Sequence, residues 1–458
     1  MAPVLPRGLA PLLAGGLALA LGACGSADAG RDLSASPDLA ARPDLSSGAG
    51  DLPLADLGTG DAAEPVDAAG RVIDPTTASH KLLMGYQGWF FCPGDGSPID
   101  GWVHWFRGDL TPTVDLWPDV SELAASELCA TGLTTPLGGP APVYSANNPA
   151  TVARHFQWMK DQDLDGVLVQ RFTTTLGDPR FFAAFNQVLL NARAAAEASG
   201  RVFAVQYDIS GQDPAAVVAT LESDWSYLVD TLKITESPRY LRHKGRPLLS
   251  IWGFGVPDRP SPPADAQTVI DYFKSNAATK YQVTLMGGVA GTWRDDAAWN
   301  ATIRHFDIIS PWTVGGFVDD AGADAFKARV AADLADATAH GVEYMPVVFP
   351  GFTWHNLTGG PSNQIPRRGG RFYWRQVYNT VSVGATMLYG AMFDEVDEGT
   401  AMFKMAPTHA TMPTQFPFVA LDVDGEALPS DWYLRLANQA GKALRGELAL
   451  SPQLPITP

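Results

Sequence analysis

The chain of 458 residues has only three cysteines, and no spacing among these and its eight histidines suits a structural metal. No zinc, no other metal and no organic cofactor is expected. Basic side chains are also scarce, 32 Lys and Arg against 49 Asp and Glu for a formal net charge of −17, which argues against nucleic-acid binding through phosphate contacts. No Gly-x-Gly-x-x-Gly turn follows the first strand-like segment, which weakens a dinucleotide-binding reading. The N-terminal apolar run, residues 9–21, is short for a bilayer span. Aromatic residues are missing altogether from 25–77, so that stretch cannot build a core.

Residues 1–24 are expected to be a targeting segment. Arg7 supplies a short basic region, the apolar run follows, and Leu21-Gly22-Ala23-Cys24 resembles a bacterial lipoprotein signal, in which Cys24 becomes the lipidated first residue. Gly25 carries no retention signal of the Asp type, so the resemblance implies an outer-membrane or cell-surface lipoprotein held by its N-terminal lipid. The alternatives are an ordinary secretion signal cut nearby or a core helix. Residues 25–77 are expected to be a disordered tether, with Asp-Leu pairs interrupted by Pro37, Pro43 and Pro53. Between Cys24 and His80 stand ten acids and three arginines, so the tether carries much of the net charge. In an exported protein the remaining pair, Cys92 and Cys129, could form a disulfide, and two buried thiols fit the count equally well.

The region 78–446 alternates strand-like and helix-like segments, with 447–458 as a C-terminal tail. Strand-like segments fall at 82–90, 166–172, 202–207, 247–252, 282–289, 308–314, 344–349 and 385–393. Asn148-Pro149, Asp178-Pro179 and Asp213-Pro214 each open a helix, and further helices are expected at 321–340, ended by Gly341, and at 430–444. Apolar strands separated by helices argue for a parallel sheet, and eight such units in roughly 370 residues favour a (β/α)8 TIM barrel.

Active sites of that fold sit at the C-terminal ends of the strands. Those ends carry Tyr86, Gln87 and Trp89, then Gln170 and Arg171, then Tyr207 and Asp208, then Trp252 and Trp312, then Trp354 and His355. Flat rings mixed with amides, carboxylates and guanidinium groups suit a sugar, whose faces present C–H groups and whose rim presents hydroxyls. At the end of the last strand stands Asp394-Glu395-Val396-Asp397-Glu398-Gly399-Thr400, four carboxylates in five positions delivered by an apolar segment. Such charges are costly to desolvate unless paired, hydrogen-bonded or used. Acetal cleavage needs a proton for the departing oxygen and a second group for the charge at the sugar carbon, and Glu395 and Glu398 are the natural pair. Asp394 and Asp397 are expected to support them by holding Arg, Lys or backbone N–H groups.

Gly85-Tyr86-Gln87-Gly88-Trp89-Phe90, His104-Trp105, the run 144–149, the run 154–158, Asp165-Gly166-Val167 and 393–400 together resemble a bacterial group of glycoside hydrolases. That group is related to the endo-α-mannosidase family and, more distantly, to the fungal α-1,3-glucanase family. The likeness spans His80 to Arg445 and is most specific in Glu-x-x-Glu-Gly-Thr. The endo-α-mannosidases carry Asn-Glu-Trp-His-Glu-Gly-Thr there, so Glu395 and Glu398 match while Asp394, Val396 and Asp397 depart. The resemblance implies a retaining mechanism through an anhydro sugar, with Glu395 as base on the 2-hydroxyl and Glu398 as acid, and His104 and Trp105 among the substrate-binding residues. The expected partner is a glycan, α-linked and mannan-like; the alternatives are an inverting α-glucanase, a xylan-directed hydrolase, or a non-catalytic glycan-binding lipoprotein. The loop after the seventh strand adds Arg367 and Arg368, which could clamp hydroxyls or an acidic sugar, neutralise the acid cluster, or form structural salt bridges.

Overall fold

The computed structural model describes residues 70–458, apart from Asp258 and Pro260; Cys24 and the tether up to residue 69 lie outside the described residues. The parallel strands β1 (Leu82–Tyr86), β2 (Gly166–Phe172), β3 (Val202–Asp208), β4 (Arg246–Trp252), β5 (Thr284–Ala290) and β6 (Ile308–Trp312) pair in chain order. The seventh barrel position is split: β7 (Glu343–Tyr344) pairs with β6, while β8 (Val347–Val348) pairs with β9 (Leu388–Gly390), which returns to β1. Pro346, which has no N–H to donate, stands at the break in what the sequence presents as one strand. The sheet thus closes as a (β/α)8 barrel.

Helices α1 (Pro149–Asp161), α2 (Pro179–Ser199) and α3 (Pro214–Asp230) start as the sequence predicts, because Asn148, Asp178 and Asp213 each accept from the N–H two residues on, at 3.0, 2.8 and 3.0 Å. Around the rest of the barrel lie α4 (Pro263–Asp271), α5 (Asp320–Ala339), α6 (Arg371–Ser382) and α7 (Trp432–Leu444). No described helix is long and apolar enough to cross a membrane.

Two glycines decide the barrel interior near its C-terminal end. A Cβ on Gly85 would lie 2.2 Å from the Tyr389 hydroxyl, and one on Gly288 would lie 2.5 Å from the Trp252 indole. Only glycine lets those two rings lie across the lumen.

The packed body begins before the expected boundary at residue 78. Arg71 reaches Asp163 at 3.2 Å and Asp165 at 2.9 Å, and Ile73 is buried. The expected tail is likewise held, since Trp374 Nε1 donates to the Ser451 carbonyl at 2.9 Å and Leu448, Leu450, Leu454 and Ile456 pack on the core. Cys92 and Cys129 are joined by a disulfide across a separation of 37 residues. Closing a loop of that size restricts the unfolded chain, so the Cys92→Ser, Cys129→Ser double variant should lose about 2–4 kcal/mol in denaturant unfolding. An unchanged midpoint would show that the bridge adds nothing to stability.

Candidate active site

The acid loop after β9 is not a solvated turn: Asp394, Glu395, Asp397 and Glu398 are exposed by 0, 4, 1 and 8%. Each carboxyl meets a different environment. Asp394 accepts from Gln87 N at 2.7 Å and Gly88 N at 2.9 Å, tying the end of β1 to the last strand; these bonds also end the expected strand 82–90 at Tyr86. Burial pushes its carboxyl up to about 7 against those two donors. Glu395 accepts from Thr400 Oγ1 at 2.5 Å and from the Gln87 amide. Asp397 meets His104 Nδ1 at 2.9 Å, and the His104 ring lies flat on Trp89, centroids 3.8 Å apart.

Burial raises both Glu395 and Glu398, and neighbouring acids add to it. For Glu395 these are Glu398 and Asp397; for Glu398, pushed up to about 8, they are Asp397 and Asp208, with Arg259 opposing. Two coupled carboxyls in one cavity share a proton between them. Thr400 Oγ1 and the Gln87 amide oppose the rise of Glu395, whereas Arg259 opposes that of Glu398.

The loop is braced from behind. Arg367 donates from Nη2 to the Gly399 and Ala401 carbonyls, both at 2.7 Å, and stacks over Tyr433.

Two cavities meet at these acids. A pocket of about 730 Å³, partly open to solvent, is lined by Gln87, Trp89, His104, Gln170, Phe172, Gln206, Asp208, Trp252, Trp312, Tyr389, Glu395, Asp397 and Glu398. A wider groove of about 1410 Å³ continues past Trp252 and Trp312 to Phe352, Trp354, Arg259 and Arg329, and it also touches Glu398. Of the residues expected at the site, Gln87, Trp89, Gln170, Asp208, Trp252, Trp312 and Trp354 from the strand ends and His104 from the resemblance therefore come together.

The others line neither cavity. Side chains alternate across a strand, and in the β2–β3 register Gln170 faces Gln206 while Arg171 faces Tyr207. The glutamines point into the lumen. Arg171 and Tyr207 point to the helix layer, where both bond Asp224 of α3. Tyr86 bonds His155 Nδ1 at 3.0 Å inside an aromatic cluster, and Trp105 Nε1 donates to the Tyr144 carbonyl at 2.8 Å. His155, fully buried, is held down to about 3 and stays neutral. His355 bonds the Gly360 carbonyl at 2.7 Å, Arg368 reaches Asp320 at 3.6 Å, and Asp394 is used up by the backbone of β1. Gln206, Phe172 and Tyr389 are lining residues that the strand-end list passed over, although counting back two from Asp208 finds the first of them.

No family model matches the chain, and no curated protein matches it. Among solved structures, the GH99 endo-α-mannosidase from Bacteroides thetaiotaomicron in complex with bis-tris propane is 17% identical with a TM-score of 0.59, over 81% of this chain and 99% of that one. A second structure of the GH99 endo-α-mannosidase from that organism gives 16% and 0.60 over the same shares, 81% and 99%. A glycoside hydrolase-like protein gives 11% and 0.51 over 82% and 97%. The likeness is one of fold: the chain has the (β/α)8 barrel seen in the GH99 endo-α-mannosidase structures.

Proposed function

We propose that this protein is a glycoside hydrolase acting on a neutral, α-linked, mannan-like glycan. The observation that carries the reading is the division of the acids: Glu395 lines only the smaller pocket, whereas Glu398 lines both cavities. A scissile bond between a sugar in the pocket and a chain in the groove then has its oxygen beside Glu398. Glu398 gives its proton to that oxygen as the bond to the anomeric carbon breaks. Glu395 takes the proton of the 2-hydroxyl, whose oxygen closes on the anomeric carbon as a 1,2-anhydro sugar. Water, deprotonated by the ionised Glu398, opens the ring at that carbon, and Glu395 returns its proton to O2; configuration is retained.

Four carboxyls, Asp208, Glu395, Asp397 and Glu398, line the pocket, which disfavours an acidic sugar there. Arg367 and Arg368 are engaged elsewhere, with the Gly399 carbonyl and with Asp320. A purely glycan-binding role leaves unexplained why both glutamates face the cavity with their carboxyls raised. The lipoprotein-like segment at Cys24 supports placing the enzyme at the cell surface or outer membrane, which detergent-phase partitioning of the native protein against Cys24→Ser would test.

The deciding experiment is reducing-end release by the fragment 70–458 from α-mannans, α-glucans and xylans. Release from α-mannan is expected, with kcat falling above pH ~8 as Glu398 loses its proton. That upper limb should disappear on a glycosyl fluoride, which needs no acid. Binding of the glycans without any release would overturn the hydrolase reading in favour of a binding protein.

A further inference from the structure

Below Glu395 the pocket floor is built from three residues of the lumen. Gln170 and Gln206 stand side by side in register and both donate through Nε2 to the Tyr389 hydroxyl, at 3.1 and 3.3 Å. Tyr389 in turn points its hydroxyl at Met392 sulfur, 3.3 Å away. The hydroxyl has no capacity left for a ligand; it is a peg that fixes two amides.

Fixed in this way, Gln206 is 3% exposed and its Oε1 has no hydrogen-bond partner. Turning the amide over leaves its NH2 in the same place, so one polar atom of Gln206 is unpartnered in either orientation. Trp252, 5% exposed and lining the same pocket, likewise has an unpartnered Nε1. A buried polar group without a partner is costly, and a pocket that keeps these two on adjoining strands, along with unpartnered atoms of Gln87, Trp89 and Asp397, is prepared for a molecule that satisfies them.

We infer that Gln206 and Trp252 select the sugar: Gln206 accepts from, and Trp252 donates to, hydroxyls on the ring face turned to the barrel floor, remote from the reacting carbon. Tyr389 is the positioning residue behind Gln206. The inference rests on the hydrolase reading and adds the group that chooses among neutral sugars. A site built to bond a hydroxyl rejects the analogue lacking it, because its own polar atoms are then stranded.

The test compares wild type with Gln206→Leu on α-mannosyl fluoride and on its 3-, 4- and 6-deoxy forms. Wild type should lose about 10- to 100-fold in kcat/KM on one deoxy form. Gln206→Leu should lose a similar factor on the parent and no longer distinguish that form. Tyr389→Phe, which keeps the ring but frees both amides, should blunt the same discrimination through KM more than kcat, a split that loss of folding would not produce. An unaltered deoxy profile in Gln206→Leu, with circular dichroism showing intact folding, overturns the inference. If wild type turns over none of the fluorides, it is the mannosidase reading that has failed, and the comparison is made by calorimetric binding of methyl α-mannoside, α-glucoside and β-xyloside. Weakened binding of whichever sugar wild type holds then supports the role of Gln206, and identical binding, or none by either protein, overturns it.

Discussion

Glu398→Gln is expected to lose 10²- to 10⁴-fold in turnover on natural glycans, on the order of what one acid–base group contributes, yet to keep much of its rate on a glycosyl fluoride. The difference follows from placement: Glu398 borders both cavities, so its work is on the leaving oxygen, and a fluoride leaves without a proton. Glu395→Gln should fall on both substrates, because the 2-hydroxyl must lose its proton whatever departs. Asp394→Asn should be milder in rate, since Asp394 bonds the backbone of Gln87 and Gly88 and does not reach the pocket. The same Glu398→Gln protein carries a stability signature with a fixed sign. Folding raises this carboxyl from 4.5 to about 8, so its contribution is complete below pH 4.5 and is lost as pH rises through about 8. The melting temperature of the variant relative to wild type should therefore climb between pH 5 and pH 9. If both glutamine variants retain near wild-type turnover while Asp394→Asn or Asp397→Asn is dead, the catalytic pair lies among the aspartates instead.

The readable parts of this chain are those whose cause is local. Asn148, Asp178 and Asp213 cap the helices they precede because cap and proline chemistry acts within three residues. The acids 394–398 are legible as a site because an apolar segment delivers them. The expectation that Asp394 holds backbone N–H groups matches its two bonds to Gln87 and Gly88, whereas Asp397 holds an imidazole where Arg, Lys or backbone was expected. What the sequence conceals is long-range: His104 and Asp397 are 293 residues apart, and nothing near either announces the other. Arg367 is similar, since its partners are carbonyls, which have no residue identity to read. Strand parity, by contrast, is legible in the sequence. Strand ends gather residues of both faces, and only one face of each strand sees the pocket, so Tyr86, Arg171 and Tyr207 had to be sorted from Gln87, Gln170 and Gln206 by parity.

That sorting makes its own large prediction, opposite in kind to the one for Glu398. Arg171 bonds Asp224 through Nε and Nη2 at 2.5 and 2.6 Å, Tyr207 adds its hydroxyl at 2.6 Å, and the two charged side chains are 3 and 4% exposed. Removing one partner strands the other's buried charge between barrel and helices. Asp224→Ala should therefore cost about 3–5 kcal/mol in chemical unfolding, whereas the paired change Arg171→Met, Asp224→Leu should recover most of that loss because no charge remains to desolvate. Both proteins, assayed at a temperature where they are folded, should keep kcat and KM near wild type, since neither side chain lines the pocket or the groove that meet at the acids. A double variant that is stable but has lost most of its kcat/KM would mean that Arg171 reaches the substrate after all, and that the outward face of β2 has a share in the chemistry.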